Sequence, residues 1–138
     1  MNAIRSSLLV LIAAASLATP FAAQARGAPM VTFENIAFSD GRTLTLEQVK
    51  RAVIRAASSK QWAASVKGDN TVRATYTKGK HSAVVDIVYT KSSYSIRYVD
   101  SNDLNYSDDN GKATIHPAYN KAITALRQSI DAQLRTAS

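Results

Sequence analysis

AVVDIVYTKSSYSIRYVDSNDLNY, residues 83–106, decides how this chain folds. Val85, Ile87 and Tyr89 alternate with Val84, Asp86 and Val88, and Tyr94, Ile96 and Tyr98 alternate with Ser95, Arg97 and Val99. Two adjoining runs of period two read as an antiparallel hairpin with one apolar face. A two-residue turn at Lys91-Ser92 sets Tyr89 opposite Tyr94, Ile87 opposite Ile96 and Val85 opposite Tyr98. On the other face it sets Asp86 opposite Arg97, an opposite-charge pair contributing ~0.2–1 kcal/mol. A slip of one residue would mix tyrosines with serines and destroy the apolar surface, so the pattern pins the register. Lys91-Ser92 is not an Asn-Gly turn, which leaves a longer loop as the alternative.

Upstream, Val72, Ala74 and Tyr76 alternate with Arg73, Thr75 and Thr77, adding a third strand that turns at Lys78-Gly79-Lys80. A helix precedes it. Thr45 and Gln48 fit a capping box, and Leu44 can staple onto Val49 across the cap. Leu46, Val49, Val53, Ala56 and Ala57 then share one stripe at helical spacing. Trp62 is expected near the end of that helix, packed on the sheet, with residues 66–70 as a turn. Residues 31–38 read as a short strand or extended arm, followed by a turn at Asp40-Gly41.

Downstream, residues 101–112 read as a polar loop with a brief strand at 104–106 and a turn at Asp109-Asn110-Gly111. Pro117 opens the last helix at its first position. Tyr119, Ala122, Ile123, Leu126, Ile130 and Leu134 form its apolar stripe. The order (β)αβββ(β)α predicts an α+β, two-layer sandwich: an antiparallel three- to four-stranded meander covered by two helices. Residues 44–138 form the single domain and residues 26–43 a flexible arm that includes the possible short strand.

Residues 1–25 read as a signal peptide. Arg5 supplies the positive start, residues 8–18 the apolar run, and Ala23-Gln24-Ala25 the cleavage site. The run is shorter than the ~20 residues a spanning helix needs. The expectation is therefore a periplasmic or secreted protein with no transmembrane segment in the mature chain. The chain has no cysteine. Hence it has no disulfide, no cysteine-linked lipid and no thiol ligand for a structural zinc. It carries 17 Lys+Arg against 10 Asp+Glu, a net +7 that becomes +6 once Arg5 leaves with the signal peptide. Such a balance favours polyanions. The basic residues are scattered, however, which suits a solvated surface, and export argues against nucleic acid.

Catalytic motifs are absent: no GxSxG, phosphate-binding glycine loop, HExxH or cysteine nucleophile occurs. His116 before Pro117 suits a helix start, and His81 after the Lys-Gly-Lys turn suits an exposed position. Asp100, Asn102, Asp103, Asp108, Asp109 and Asn110 are oxygen ligands of the kind calcium uses, yet their spacing does not fit an EF-hand loop. Asx-rich loops ordinarily make turns through their side chains. No cofactor and no metal is expected. Core packing explains most of the tyrosines. The candidate partner-binding surface is Tyr98, Asp100, Asn102, Asp103, Tyr106, His116 and Tyr119, where phenolic faces, amides and carboxylates adjoin at a sheet edge.

SYSIRYVDSNDLNY followed by IHPAYNKAI resembles a group of small uncharacterised exported proteins and lipoproteins of Gram-negative bacteria. The shared pattern is a Ser-Tyr-Ser-Ile-x-Tyr strand at residues 93–98, an Asn-Leu-x-Tyr loop met here by Leu104, Asn105 and Tyr106, and an Ile-His-x-x-Tyr-Asn helix start at residues 115–120. The resemblance covers roughly residues 44–130 and implies a helix–three-strand–helix plan and an envelope location. This chain departs from the group in lacking the lipid-attachment cysteine and in carrying Ala122-Ile123 where many relatives have an aromatic residue.

The expected function is a non-enzymatic periplasmic or secreted domain that binds an envelope polymer or a protein partner. The alternatives are a small hydrolase acting on an envelope polymer, using Asp100 or Asp103 with His116, and a structural or stress-related envelope protein without a small ligand.

Overall fold

The computed structural model describes residues 27–138. In chain order they form β1 (Ala28–Pro29), β2 (Phe33–Ala37), a 3₁₀ turn (Ser39–Gly41) and α1 (Leu46–Ser59). Then come β3 (Trp62–Val66), β4 (Thr71–Lys78), β5 (His81–Tyr89), β6 (Ser93–Asn102), β7 (Ser107–Asp109), β8 (Lys112–Ile115) and α2 (Pro117–Arg135). A five-stranded antiparallel sheet has the order β2-β6-β5-β4-β3, and a three-stranded one the order β1-β8-β7. The fold is α+β, with both helices burying their apolar stripes in the same core as the large sheet. The expected signal peptide and its cleavage site lie outside the described residues.

The arithmetic of the β5–β6 hairpin is met residue for residue: Tyr89 faces Tyr94, Ile87 faces Ile96, Asp86 faces Arg97 and Val85 faces Tyr98. Its turn is the two-residue Lys91-Ser92, closed by the Thr90 N–H donating to the Ser93 carbonyl at 2.8 Å. No glycine is needed because the Thr90 hydroxyl accepts from the Ser92 and Ser93 N–H groups at 3.2 and 3.0 Å. The Leu44 and Phe38 N–H groups donate to the Lys91 and Ser92 carbonyls, both at 2.9 Å, and anchor the turn from outside.

The charges within that register pair differently from expectation. Asp86 takes a bidentate grip from Arg73 of β4, at 2.8 and 3.0 Å, rather than pairing with Arg97. Arg97 reaches Glu34 on β2 instead, at 3.3 Å. β5 is central, so Asp86 has an arginine on each side; Arg73 holds it in a two-pronged grip, while Arg97 has its own carboxylate, Glu34, on the next strand out. The Arg73 hydrogen bond keeps the Asp86 carboxyl below the ordinary carboxylate range.

The sheet has five strands rather than three or four. Trp62 lies near the end of α1, as expected, but it opens an edge strand, β3, where it faces Tyr76 of β4. Gln61 at φ 66° reverses the chain just past α1. On the opposite edge, β2 carries a bulge between Phe33 and Ile36, where Asn35 sits at φ 51° and donates its N–H to the Ser95 hydroxyl. A second bulge interrupts β5–β6: Val84 faces Asp100 while Val85 faces Tyr98, leaving Val99 unpaired. The expected strand at 104–106 is displaced to β7, because Asp103 and Asn105 take φ 55° and 52°. β7 and β8 form a hairpin through Asn110-Gly111, at φ 53° and 81°. Ala28 pairs with Ile115, so the N-terminal arm supplies a strand to each sheet.

Both helices are capped by local side chains, and α2 is also held by one from afar. The α1 capping box forms as expected: Thr45 Oγ1 accepts from the Gln48 N–H at 3.1 Å, and Gln48 Oε1 from the Thr45 N–H at 2.9 Å. His116 caps α2 through Nδ1, which accepts from the Ala118 N–H at 3.0 Å. At the other end Arg42 donates Nη1 to the carbonyls of Leu134, Arg135 and Ala137, at 3.1, 3.0 and 3.4 Å. They lie in and just past the last turn, where helix carbonyls lack the next turn's donors, and a cation there also favours the helix dipole.

Candidate functional site

A cleft of about 350 Å³ opens between the N-terminal part of α2 and the β3–β5 side of the large sheet. Residue size explains why it exists. Ala118, Ala122 and Ala125 of α2, and Ala83 of β5, line it. Four methyl groups cannot fill the gap that larger side chains close elsewhere. Trp62 and Tyr76, with ring centroids 5.1 Å apart, wall one side, and Leu104 and Tyr119 belong to the same lining. Lys60 just past α1, Lys78 at the end of β4, Lys121 on α2 and His81 at the start of β5 complete it. Among the described residues no carboxylate lines the cleft.

Tyr119 also belongs to an aromatic wall. Tyr106 stacks on Tyr98 at 4.2 Å, and Tyr98 meets Tyr119 edge-on at 6.0 Å. The Tyr98 hydroxyl lies 2.7 Å from the Ser101 hydroxyl, a contact the Val99 bulge permits by turning Ser101 to the same face. Burial pushes the Tyr98 phenol above its ordinary pKa and the Tyr119 phenol far above it. His116 lies against His81 with ring centroids 5.3 Å apart, which ties the α2 cap to the cleft.

The candidate surface is thus divided. Tyr98, Tyr106 and Tyr119 come together, and His116 adjoins them through the start of α2. Asp100 and Asn102 do not join them: beyond the bulge they share the face of Val84 and Ser82, opposite Tyr98, and both are exposed. Asp100 Oδ1 accepts from its neighbour's N–H, on Ser101, at 2.9 Å. Asp103 is exposed and sits in the left-handed conformation. Among the described residues no hydrogen bond joins His116 to Asp100 or Asp103, and no group of three or more His, Asp or Glu could hold a metal ion. Asp108 uses Oδ1 to accept from the Gly111 N–H at 3.0 Å, which is turn chemistry.

Sequence reasoning missed the cleft. Lys60, Trp62, Tyr76, Lys78, His81 and Lys121 come from five elements or their ends, and no local motif joins them. The one usable signal was Lys78-Gly79-Lys80-His81, where basic groups crowd a tight turn beside an aromatic strand. No helix among the described residues is long and apolar enough to cross a membrane. No protein-family model, curated protein or solved structure matches the chain.

Proposed function

We propose that this chain is an exported, non-enzymatic domain, periplasmic or secreted, that binds an envelope component or a protein partner through the tyrosine wall and the cleft beside it. One observation carries this reading: Tyr119 belongs both to the Tyr98–Tyr106 stack and to the lining of an open cleft of about 350 Å³. A half-exposed aromatic stack continuous with a concavity is the arrangement binding sites favour, since it offers large rigid contact area at low entropic cost. The signal-peptide pattern of residues 1–25 supports export, and export leaves nucleic acid out of the reading.

A hydrolase built on His116 with Asp100 or Asp103 finds less support. His116 Nδ1 is engaged in capping α2, and neither carboxylate is bonded to the ring. Photo-crosslinking in cells from position 106 tests the binding reading. We expect a discrete adduct that Tyr98→Ala abolishes, because that change removes the ring on which Tyr106 stacks. Capture of abundant bystanders alone, unaffected by Tyr98→Ala, would overturn it.

A further inference from the structure

Resting on that binding reading and narrowing its ligand, we propose that the cleft holds a single-headed anionic amphiphile: one carboxylate or phosphate group on an apolar body. Charge is the first ground. Lys60, Lys78 and Lys121 converge on a cleft with no acidic lining, and none of them is in an ion pair among the described residues. All three are exposed, so their ammonium groups remain hydrated until a partner arrives. Lysine offers a mobile point charge rather than a planar fork, which suits a headgroup of either shape.

The wall chemistry is the second ground. Apart from the lysines and His81, the lining is Trp62, Tyr76, Leu104, Tyr119 and the alanines of α2 and β5, mostly apolar surface. A bare inorganic anion would touch the cations and leave this apolar surface wet. An uncharged apolar molecule would do the reverse. Only a ligand with both parts satisfies both, each CH₂ moved out of water adding ~0.8 kcal/mol. Size is the third ground. About 350 Å³ lies at the low end of small-molecule sites, suiting one apolar chain or ring system rather than a whole two-chain lipid.

The chain has one tryptophan, Trp62, and it lines the cleft, so its emission reports occupancy without a label. Purified protein is titrated with decyl phosphate, 1-decanol, inorganic phosphate and phosphatidylglycerol vesicles. We expect a saturable change with decyl phosphate at a concentration at least about tenfold below any response to decanol or inorganic phosphate. Lys78→Glu with Lys121→Glu should weaken it about tenfold, both sites being exposed and tolerant of charge reversal. Ala122→Leu, which fills the cleft, should remove the response while the thermal midpoint holds.

No response to decyl phosphate, an equal response to decanol or to inorganic phosphate, or a response to vesicles alone would overturn the proposal, the last in favour of a membrane surface. The two readings fail separately. A Tyr98-dependent adduct from position 106 without decyl phosphate binding removes the amphiphile and keeps the partner surface. Decyl phosphate binding without that adduct removes the tyrosine wall and keeps the cleft.

Discussion

Towards its C-terminus α2 buries Leu126, Ile130 and Leu134, whereas towards its N-terminus the same helix presents Ala118, Ala122 and Ala125 to an open cleft. At the closed end the Tyr94 hydroxyl donates to Asp131, whose other oxygen lies 3.4 Å from Arg127. The Arg127 guanidinium in turn lies 5.1 Å from the centre of the Phe33 ring. Arg42 seals the last turn. At the open end lysines stand over small side chains with no acidic partner. Tyr119 and Ile123 keep the core stripe running through the open end as well. The difference teaches that small side chains on the neighbouring face of α2, and not loss of the stripe, leave room for recognition there.

Truncating the closed end should have the largest effect. Ile130→Ala removes a fully buried side chain and should cost about 2–5 kcal/mol, read from the urea midpoint at constant slope. A loss under about 1 kcal/mol would mean that end is not closed. Tyr94→Phe comes next, at about 1–2 kcal/mol, since it strands one Asp131 oxygen. Burial first, and then Asp131, raises the Tyr94 pKa in the folded state. Its contribution is therefore complete below the unfolded value near pH ~10 and is lost as pH rises through the folded one. The gap between wild type and Tyr94→Phe should narrow in alkali; a gap constant to high pH would contradict the burial.

Arg42→Ala should cost about 1 kcal/mol and speed amide exchange over residues 130–135, because the end of α2 loses the guanidinium that bonds the Leu134, Arg135 and Ala137 carbonyls. Unchanged exchange there would mean water replaces the guanidinium without loss. The smallest stability effect belongs to the open end. Ala122→Leu should change the unfolding free energy by no more than about 0.5 kcal/mol, the cleft accepting the added atoms. A large destabilisation would show that the alanines are packed after all, and the contrast between the two ends would vanish.

Local pattern made much of the fold legible. The capping box, the two apolar stripes and the hairpin register are all written within short windows, and period alone separates helix from strand. β3 was not legible, because Ala63, Ala64 and Ser65 are small and carry no alternating apolar signal, and because neither Gly nor Pro marks the reversal at Gln61. Nor was the Val99 bulge, which splits Tyr98 from Asp100 and Asn102 by changing parity without changing composition. Asn110-Gly111 was the strongest hairpin signal in the loop, yet the strands it joins are polar and mostly exposed. Parity also could not say which neighbour would win Asp86. The aromatic part of the candidate surface could be seen because its members lie on a strand, a loop and a helix start that adjoin in sequence. The cleft could not, since residues 60 to 125 meet there only after the sheet has formed.

Amide chemical-shift mapping with decyl phosphate tests the contrast between the ends of α2 most directly. We predict shifts at Lys60, Trp62, Lys78, Ala118, Ala122 and Ala125, with Leu126, Ile130 and Leu134 still. Shifts centred on the C-terminal half, or spread evenly over the basic surface, would contradict the account.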